Sequence, residues 1–332
     1  MSDNSIDDPP SSSGRQPDVV VVGSLNVDST VAVDSIPVPG ETVIGGPVQS
    51  FMGGKGLNQA VAAARAGAEV AMVGRIGDDD GGRRLRAYLA DEGIDHSAVS
   101  IDPDIGSGAA FIAVDGNGEN AIVVSPAANA GLSVDHIDAA ADIISSAAVV
   151  LIQLEVPMDA VTAAVAVAAG TVILNPAPAQ DLPDDVLKQV DILIPNRTEL
   201  ATISARPEPS TMEEVVAAAT SLADRMTGPR SGRAAEPGYL IVTVGAEGSV
   251  LVDLSRGSYA SQRPPAVNAV DTTGAGDCFC GSLAARLALD DDLDTAVRYA
   301  LTAAAVSVTR PGAADSIPGV DEVLGLLSDG KI

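Results

Sequence analysis

The chain carries 45 acidic against 19 basic residues in 332, a formal net charge of −26, and so negative a surface repels DNA, RNA and anionic lipid. With 2% aromatic residues and no Trp, platforms for stacking bases are scarce, and neither nucleic acid nor a membrane is expected as a partner. The acids are spread along the chain and lysine is confined to Lys55, Lys188 and Lys331. That pattern predicts a halophile's cytoplasm, where salt screens self-repulsion, although an acidic mesophile protein fits the same numbers.

The length suits two domains or one α/β domain with an appendage. Residues 1–17 are polar, acidic and rich in Pro and Ser; they lack the basic start and apolar middle of a signal peptide and read as a disordered tail. The longest uncharged apolar run, residues 160–174, is too short to span a bilayer and is interrupted by Gly170. Cys278 and Cys280 offer no disulfide framework and no zinc site. With His96 and His136 as the only histidines, a Ser-His-Asp triad or a histidine-rich metal centre is not expected.

Residues 18–25 form a continuous apolar run, the mark of a strand buried on both faces, and stop at Asn26-Val27-Asp28. Residues 30–36 and 42–51 alternate and are split by Pro37-Val38-Pro39-Gly40, which predicts a smaller antiparallel element. Gly53-Gly54-Lys55-Gly56-Leu57-Asn58 leads into an Ala-rich helix over 59–65. It is no Walker A loop, because Gly rather than Ser or Thr follows Lys55. It is either a turn before a helix or a close-approach site for a hydroxylated ligand.

A strand over 70–76 and a capped helix over 83–92 follow. Residues 109–114 and 121–124 flank Asp115-Gly116-Asn117-Gly118-Glu119 and predict a hairpin that joins the earlier alternating strands as a lid. Strands at 149–154, 172–174, 192–194 and 240–244, with helices between, predict a parallel doubly wound sheet. A helix is expected over 211–226 and a surface insertion over 228–238.

Doubly wound sheets bind ligands beyond the carboxyl ends of their strands. The apolar runs stop at Asn26 and Asp28, Glu155, Asn175, Asn196 and Glu199, and Thr243 and Gly245. Glu155 alone also fits a strand end at the surface, and Asn196-Arg197-Thr198-Glu199 also fits a capping box. Finally, Asp271-Thr272-Thr273-Gly274-Ala275-Gly276-Asp277 is a glycine turn running into a helix. Such a turn is an anion site, with Asp277 standing beside it either as a reactive carboxylate or as a helix cap.

The glycine-lysine segment 53–58 and the 271–277 heptapeptide, with Asn196-x-x-Glu199 and the 242–248 segment between them in order, resemble the ribokinase family of sugar and nucleoside kinases over roughly 19–318. The resemblance implies an αβα sandwich with a doubly wound, mostly parallel sheet over 18–332. A small β-sheet lid from about 29–51 and 106–126 often makes a homodimer contact in that family. It implies ATP-dependent phosphorylation of a sugar hydroxymethyl group, with Asp277 as base and the N–H groups of Gly274, Ala275 and Gly276 as anion hole. Asn26, Asp28, Gly54, Lys55, Gly56, Asn58 and Glu155 match sugar-contacting positions. Asn196 and Glu199 match the motif that organises Mg²⁺ and phosphates, with the metal reached through water.

Thr243, Gly245, Ala246, Glu247, Gly248, Ser249 and Val250 resemble the adenine-nucleotide loop. Asp271, Thr273, Ser307, Arg310, Gly312 and Ser316 match a K⁺ site built mostly from backbone carbonyls. Within the family the segments look most like the ribose branch, so the 5-hydroxyl of ribose is the first expectation, with ribose 1-phosphate or a nucleoside as alternative. One departure stands at Ser125-Pro126-Ala127-Ala128-Asn129, where the family has a run of the form G-A-N. A non-catalytic sugar or nucleotide binder is the rival from another class, and the intact Asp277 and its glycines argue against it.

Overall fold

The computed structural model describes residues 16–227 and 238–328. Most of the expected tail and of the 228–238 insertion lies outside the described residues. In chain order the strands begin with β1 (Val19–Val22), β2 (Asn26–Ala32), β3 (Gln49–Gly53) and β4 (Val70–Gly77). There follow β5 (Val99–Asp102), β6 (Gly108–Val114), β7 (Asn120–Ser125) and β8 (Val149–Ile152). The last are β9 (Thr171–Leu174), β10 (Ile192–Leu193), β11 (Tyr239–Thr243), β12 (Ser249–Asp253) and β13 (Ser258–Gln262).

Nine of them form one sheet, in the order β13-β12-β11-β10-β9-β8-β1-β4-β5. The four-valine β1 lies third from one edge, paired in parallel with β4 and β8. Its side chains alternate between two cores. Val19 and Val21 pack with the helices Lys55–Arg65 and Ala275–Ala288, and Val20 and Val22 with the opposite helical layer. Burial on both faces is why β1 reads as an unbroken apolar run. The expected doubly wound αβα sandwich is what the chain forms.

One edge is antiparallel, β11–β12 and β12–β13 pairing in that sense, while the other edge strand, β5, runs parallel to β4. The second sheet has the order β3-β2-β6-β7. It is not wholly antiparallel as expected, because β2 and β6 run parallel. β2 begins at Asn26, with three residues between it and the end of β1, so the chain steps straight from the main sheet into the small one. The strand expected over 42–51 is confined to Gln49–Gly53. Gly45, Gly46 and Pro47 precede it, and proline has no N–H for a ladder.

The helix expected over 211–226 is two, Met212–Thr220 and Ala223–Met226. The helix expected from 83 starts at Asp80, capped by Asp79, whose Oδ1 accepts from Gly82 N at 2.7 Å. No helix among the described residues is long and apolar enough to cross a membrane.

One helix crossing brings the two glycine-led segments together. A Cβ built on Gly281 would lie 2.2 Å from Gln59 O, so only glycine lets the helix Ala275–Ala288 press this closely onto Lys55–Arg65. That approach carries Asn58 and Gln59 to Asp277.

Candidate active site

A cavity of about 210 Å³ opens at the carboxyl ends of the main-sheet strands. Its wall includes Lys55, Asn175, Asn196, Glu199, Thr243 and the turn Thr272, Gly274, Ala275, Gly276 and Asp277. The strand ends at Asn175, Asn196 and Thr243 therefore meet the glycine turn in one place, whereas Asn26, Asp28, Asn58, Glu155 and Gly245 do not line this cavity.

Each wall has a local reason. Gly274 caps the helix Ala275–Ala288 at φ 74, and a Cβ on it would lie 3.0 Å from Ala313. Glycine alone adopts that turn without strain. Asp277 sits in the first turn, 6% exposed. First-turn N–H groups have no intrahelical carbonyl to bond, and with the helix dipole they favour an anion. Ala275 N–H is partly engaged, bonding Thr272 O at 3.2 Å.

Asp277 Oδ2 accepts from Asn58 Nδ2 at 3.0 Å and Oδ1 from Gln59 Nε2 at 2.9 Å. Its side chain does not cap its own helix: the N-cap is Gly274, with no side-chain cap bond.

The glycine-lysine segment is held against the end of β1. Gly54, at φ 91, caps the helix Lys55–Arg65, and a Cβ on Gly56 would lie 2.6 Å from Ser24 N. Glu155 ties the two together: its Oε2 accepts from Ser24 Oγ at 2.5 Å and from Lys55 N at 3.0 Å. Glu155 is thus a clamp and not a surface strand end. The Lys55 ammonium is held above its ordinary range, first by the Asp277 carboxylate and further by Glu155 and Glu199, against the opposing effect of burial.

Asn26 and Asp28 come from β2. Asn26 Oδ1 accepts from the buried Asn129 Nδ2 at 2.8 Å, and Asn129 also bonds both backbone groups of Leu25. The Asp28 carboxylate packs on Gly53, where a Cβ would lie 2.2 Å from Oδ2. Burial, and secondarily Glu155, push its pKa from 3.8 to about 6. Asp28 Oδ1 and Asn58 Oδ1 are buried without a hydrogen-bond partner. Buried polar atoms are rarely left so.

Asn196 and Glu199 form a reciprocal capping box: Glu199 N bonds Asn196 Oδ1 and Asn196 N bonds Glu199 Oε2, each at 2.8 Å. Both residues also line the cavity, so forming the cap does not withdraw them from it. Burial is the leading cause that raises the Glu199 carboxyl above its usual value.

The expected nucleotide loop divides. Thr243 reaches the cavity and bridges to Asn196. Gly245, Ala246 and Glu247 form a turn whose Glu247 pairs with Arg197 at 2.7 Å, and Gly248 has φ 100. Ser249 and Val250 are 1% exposed, inside the sheet on β12, and are not brought to the cavity.

The expected K⁺ positions lie behind the glycine turn. Asp271 bridges two loops, accepting from Thr273 N and Gly312 N, each at 2.9 Å. Ser307 and Ser316 are buried, with their hydroxyls bonded to Ala304 O and Ala313 O, and Arg310 pairs with Glu322. Among the described residues no three His, Cys, Asp or Glu side chains assemble as a metal cage.

Gln59 and Ser24 are site residues that no motif in the sequence singles out. A buried Gln on an apolar helix face is the signal that could have found Gln59.

A three-layered αβα sandwich with a carboxylate and a helix N-terminus at its strand ends has the architecture of a phosphoryl-transfer enzyme. Residues 16–319 match the family described as pfkB family carbohydrate kinase, and the chain belongs to that family of ATP-dependent kinases. A ribokinase of Haemophilus influenzae is 38% identical over 313 residues, covering 93% of this chain and 98% of the relative. A deoxyribokinase of Salmonella typhi is 34% identical over 94% of this chain and 99% of its own. Among solved structures, Arabidopsis thaliana ribokinase complexed with ribose and ATP superposes with TM-score 0.85 at 30% identity, covering 94% and 99% of the two chains.

Proposed function

We propose that this kinase transfers the γ-phosphoryl of ATP to the 5-hydroxyl of ribose, with Asp277 as the general base. The observation that carries the reading is the pair of unpartnered buried acceptors, Asp28 Oδ1 and Asn58 Oδ1, the second on a side chain that bonds Asp277. Acceptors of this kind call for hydroxyl donors and reject ligands that lack them. Ribose brings several hydroxyls and no charge, and suits a site in which Asp28 already stands close enough to Glu155 to feel its charge.

In this reading Asp277 takes the hydroxyl proton as the new O–P bond forms and the bond to the departing ADP oxygen breaks. The first-turn N–H groups at Gly274–Asp277 neutralise charge on the moving phosphoryl, with Lys55 supplying a further cation. Thr243 and the Gly245–Gly248 turn carry the nucleotide. Asn196 and Glu199 would hold Mg²⁺ through water, which fits an ion that keeps its hydration, and the ion would supply neutralising charge to the phosphates. K⁺ would sit among the carbonyls of the two loops that Asp271 braces and stiffen the anion hole.

The exposed Phe111 and Val123, opposite each other on β6 and β7, support dimerisation through the small sheet. Residues 18–332 act as one kinase domain in this account, with β2, β3, β6 and β7 as its lid.

The test is ATP consumption in high KCl with ribose, 2-deoxyribose, ribose 1-phosphate, fructose, adenosine, cytidine and guanosine. Ribose is expected to give the highest kcat/KM. A preference for 2-deoxyribose, ribose 1-phosphate or a nucleoside overturns the substrate assignment, and consumption with none of them favours a binding protein.

A further inference from the structure

Asp277 is gripped by amides whose direction carries information. Gln59 is fully buried; its Nε2 donates to Asp277 Oδ1 at 2.9 Å and to Asn175 Oδ1 at 3.1 Å. Its Oε1 accepts from Nε2 of the equally buried Gln153 at 2.6 Å. A primary amide has a donor end and an acceptor end, and its orientation follows from its neighbours.

Here the neighbours leave no choice. An ionised Asp277 only accepts, so Gln59 must turn its NH₂ toward it and its oxygen toward Gln153. Gln153 must then turn its NH₂ to Gln59, which leaves Gln153 Oε1 buried and unpartnered. That oxygen lies over the Cα of Gly23, where a Cβ would come within 1.9 Å. Asn175 is fixed independently, since its Nδ2 donates to Ile194 O at 2.9 Å and its oxygen is left facing Gln59. The fold tolerates an orphaned carbonyl two residues before Glu155, and what it secures is polarity.

We infer that Gln153 and Gln59 form a directional amide relay that positions the Asp277 carboxylate. The inference rests on the reading of Asp277 as the base. Gln59 and Asn58 each hold one carboxylate oxygen by one N–H. The carboxylate plane is thereby fixed, and its remaining lone pairs are left for the acceptor hydroxyl. The relay takes up no proton: the proton passes from the hydroxyl to Asp277, and the amides keep theirs. The ionisable groups that face Asp277 are Lys55, Glu199 and, on its own helix, Cys278 and Cys280.

The experiment compares kcat, both KM values and the pH profile of four variants in the full chain. Gln59→Leu is expected to lower kcat by about 10- to 100-fold, the loss of one hydrogen bond to a charged group, with KM for sugar and for ATP little changed. Gln153→Glu reverses the relay without touching Asp277. Its carboxylate can only accept, so it turns Gln59 around and points an oxygen at Asp277.

At pH 8 its kcat falls as in Gln59→Leu. As pH is lowered the introduced carboxyl, raised by burial, becomes a donor again, and the ratio of variant to parent kcat climbs. Gln153→Met, which imposes no direction, retains more activity at pH 8 than Gln153→Glu.

A full kcat in Gln59→Leu, or a flat ratio for Gln153→Glu, overturns the relay, and a role confined to stability gives that flat ratio. If Gln59→Leu does not fold, the comparison of the two Gln153 variants decides. Asp277→Asn separates the base from the relay. An active Asp277→Asn removes the base reading, whereas an inactive one beside a fully active Gln59→Leu removes the relay alone.

Discussion

Asp28 is the residue at which binding and stability pull in opposite directions. Its carboxylate is buried beside Glu155 and its pKa is displaced from 3.8 to about 6. At about 1.4 kcal/mol per pH unit, holding the charge costs the ligand-free fold about 3 kcal/mol at neutral pH. Because the folded pKa is raised, this group's contribution is fully present below pH 3.8 and is lost as pH rises through about 6. Asp28→Asn cannot ionise, so its stability relative to the parent should be near equal at pH 4 and exceed it by up to about 3 kcal/mol at pH 8.

Urea denaturation of both proteins across that range, at fixed KCl and without sugar, measures the difference. The same substitution removes an acceptor for a hydroxyl, so KM for the sugar should rise by about 10- to 100-fold. Glu155, the secondary cause, offers a check: in a Glu155→Gln background the gain at pH 8 should shrink. A stability difference that stays constant from pH 4 to pH 8, or a less stable Asp28→Asn at pH 8, would refute the reasoning.

Two further expectations concern backbone geometry. Ala127 stands at φ 44, in the left-handed region, at the segment where the family pattern has glycine. Ala127→Gly should therefore stabilise by about 1 kcal/mol in the same denaturation assay, and a loss of stability would contradict the strain. On Gly56 a Cβ would lie 2.6–2.7 Å from backbone atoms of Gly23 and Ser24, whereas nothing lies within 4 Å of one on Gly116. Gly56→Ala is expected to cost about 1–3 kcal/mol and raise the sugar KM, while Gly116→Ala leaves both unchanged.

The parts of the fold legible in the sequence are those with local causes. Valine runs buried on both faces announce β1 and β8, and the hairpin of β6 and β7 is announced by its turn, where Asp115 Oδ1 accepts from Asn117 N and Glu119 N. The edges are not legible: β13 is Ser258–Gln262, mostly exposed, and offers no apolar pattern to read. The parallel pairing of β2 with β6 joins segments far apart in the chain, and no local signal encodes it.

The site divides in the same way. Polar residues at strand ends are visible because apolar runs stop at them. Gln59 looks like one more helix former in an Ala-rich stretch. Its meaning depends on the close crossing at Gly281, a tertiary fact. Ser249 and Val250 group with the nucleotide turn in sequence because the motif runs through them; the ladder of β12 starts at Ser249 and turns both inward.

The claim at the centre of this account is that Asp277 removes the proton of the acceptor hydroxyl. It is tested most directly by kcat for ribose phosphorylation in Asp277→Asn, measured beside the Kd for ATP. The amide keeps the shape of the site and removes the base. The account predicts a kcat lower by about 10²- to 10⁴-fold, the usual contribution of general-base catalysis, with ATP affinity retained. A kcat close to that of the parent would contradict it.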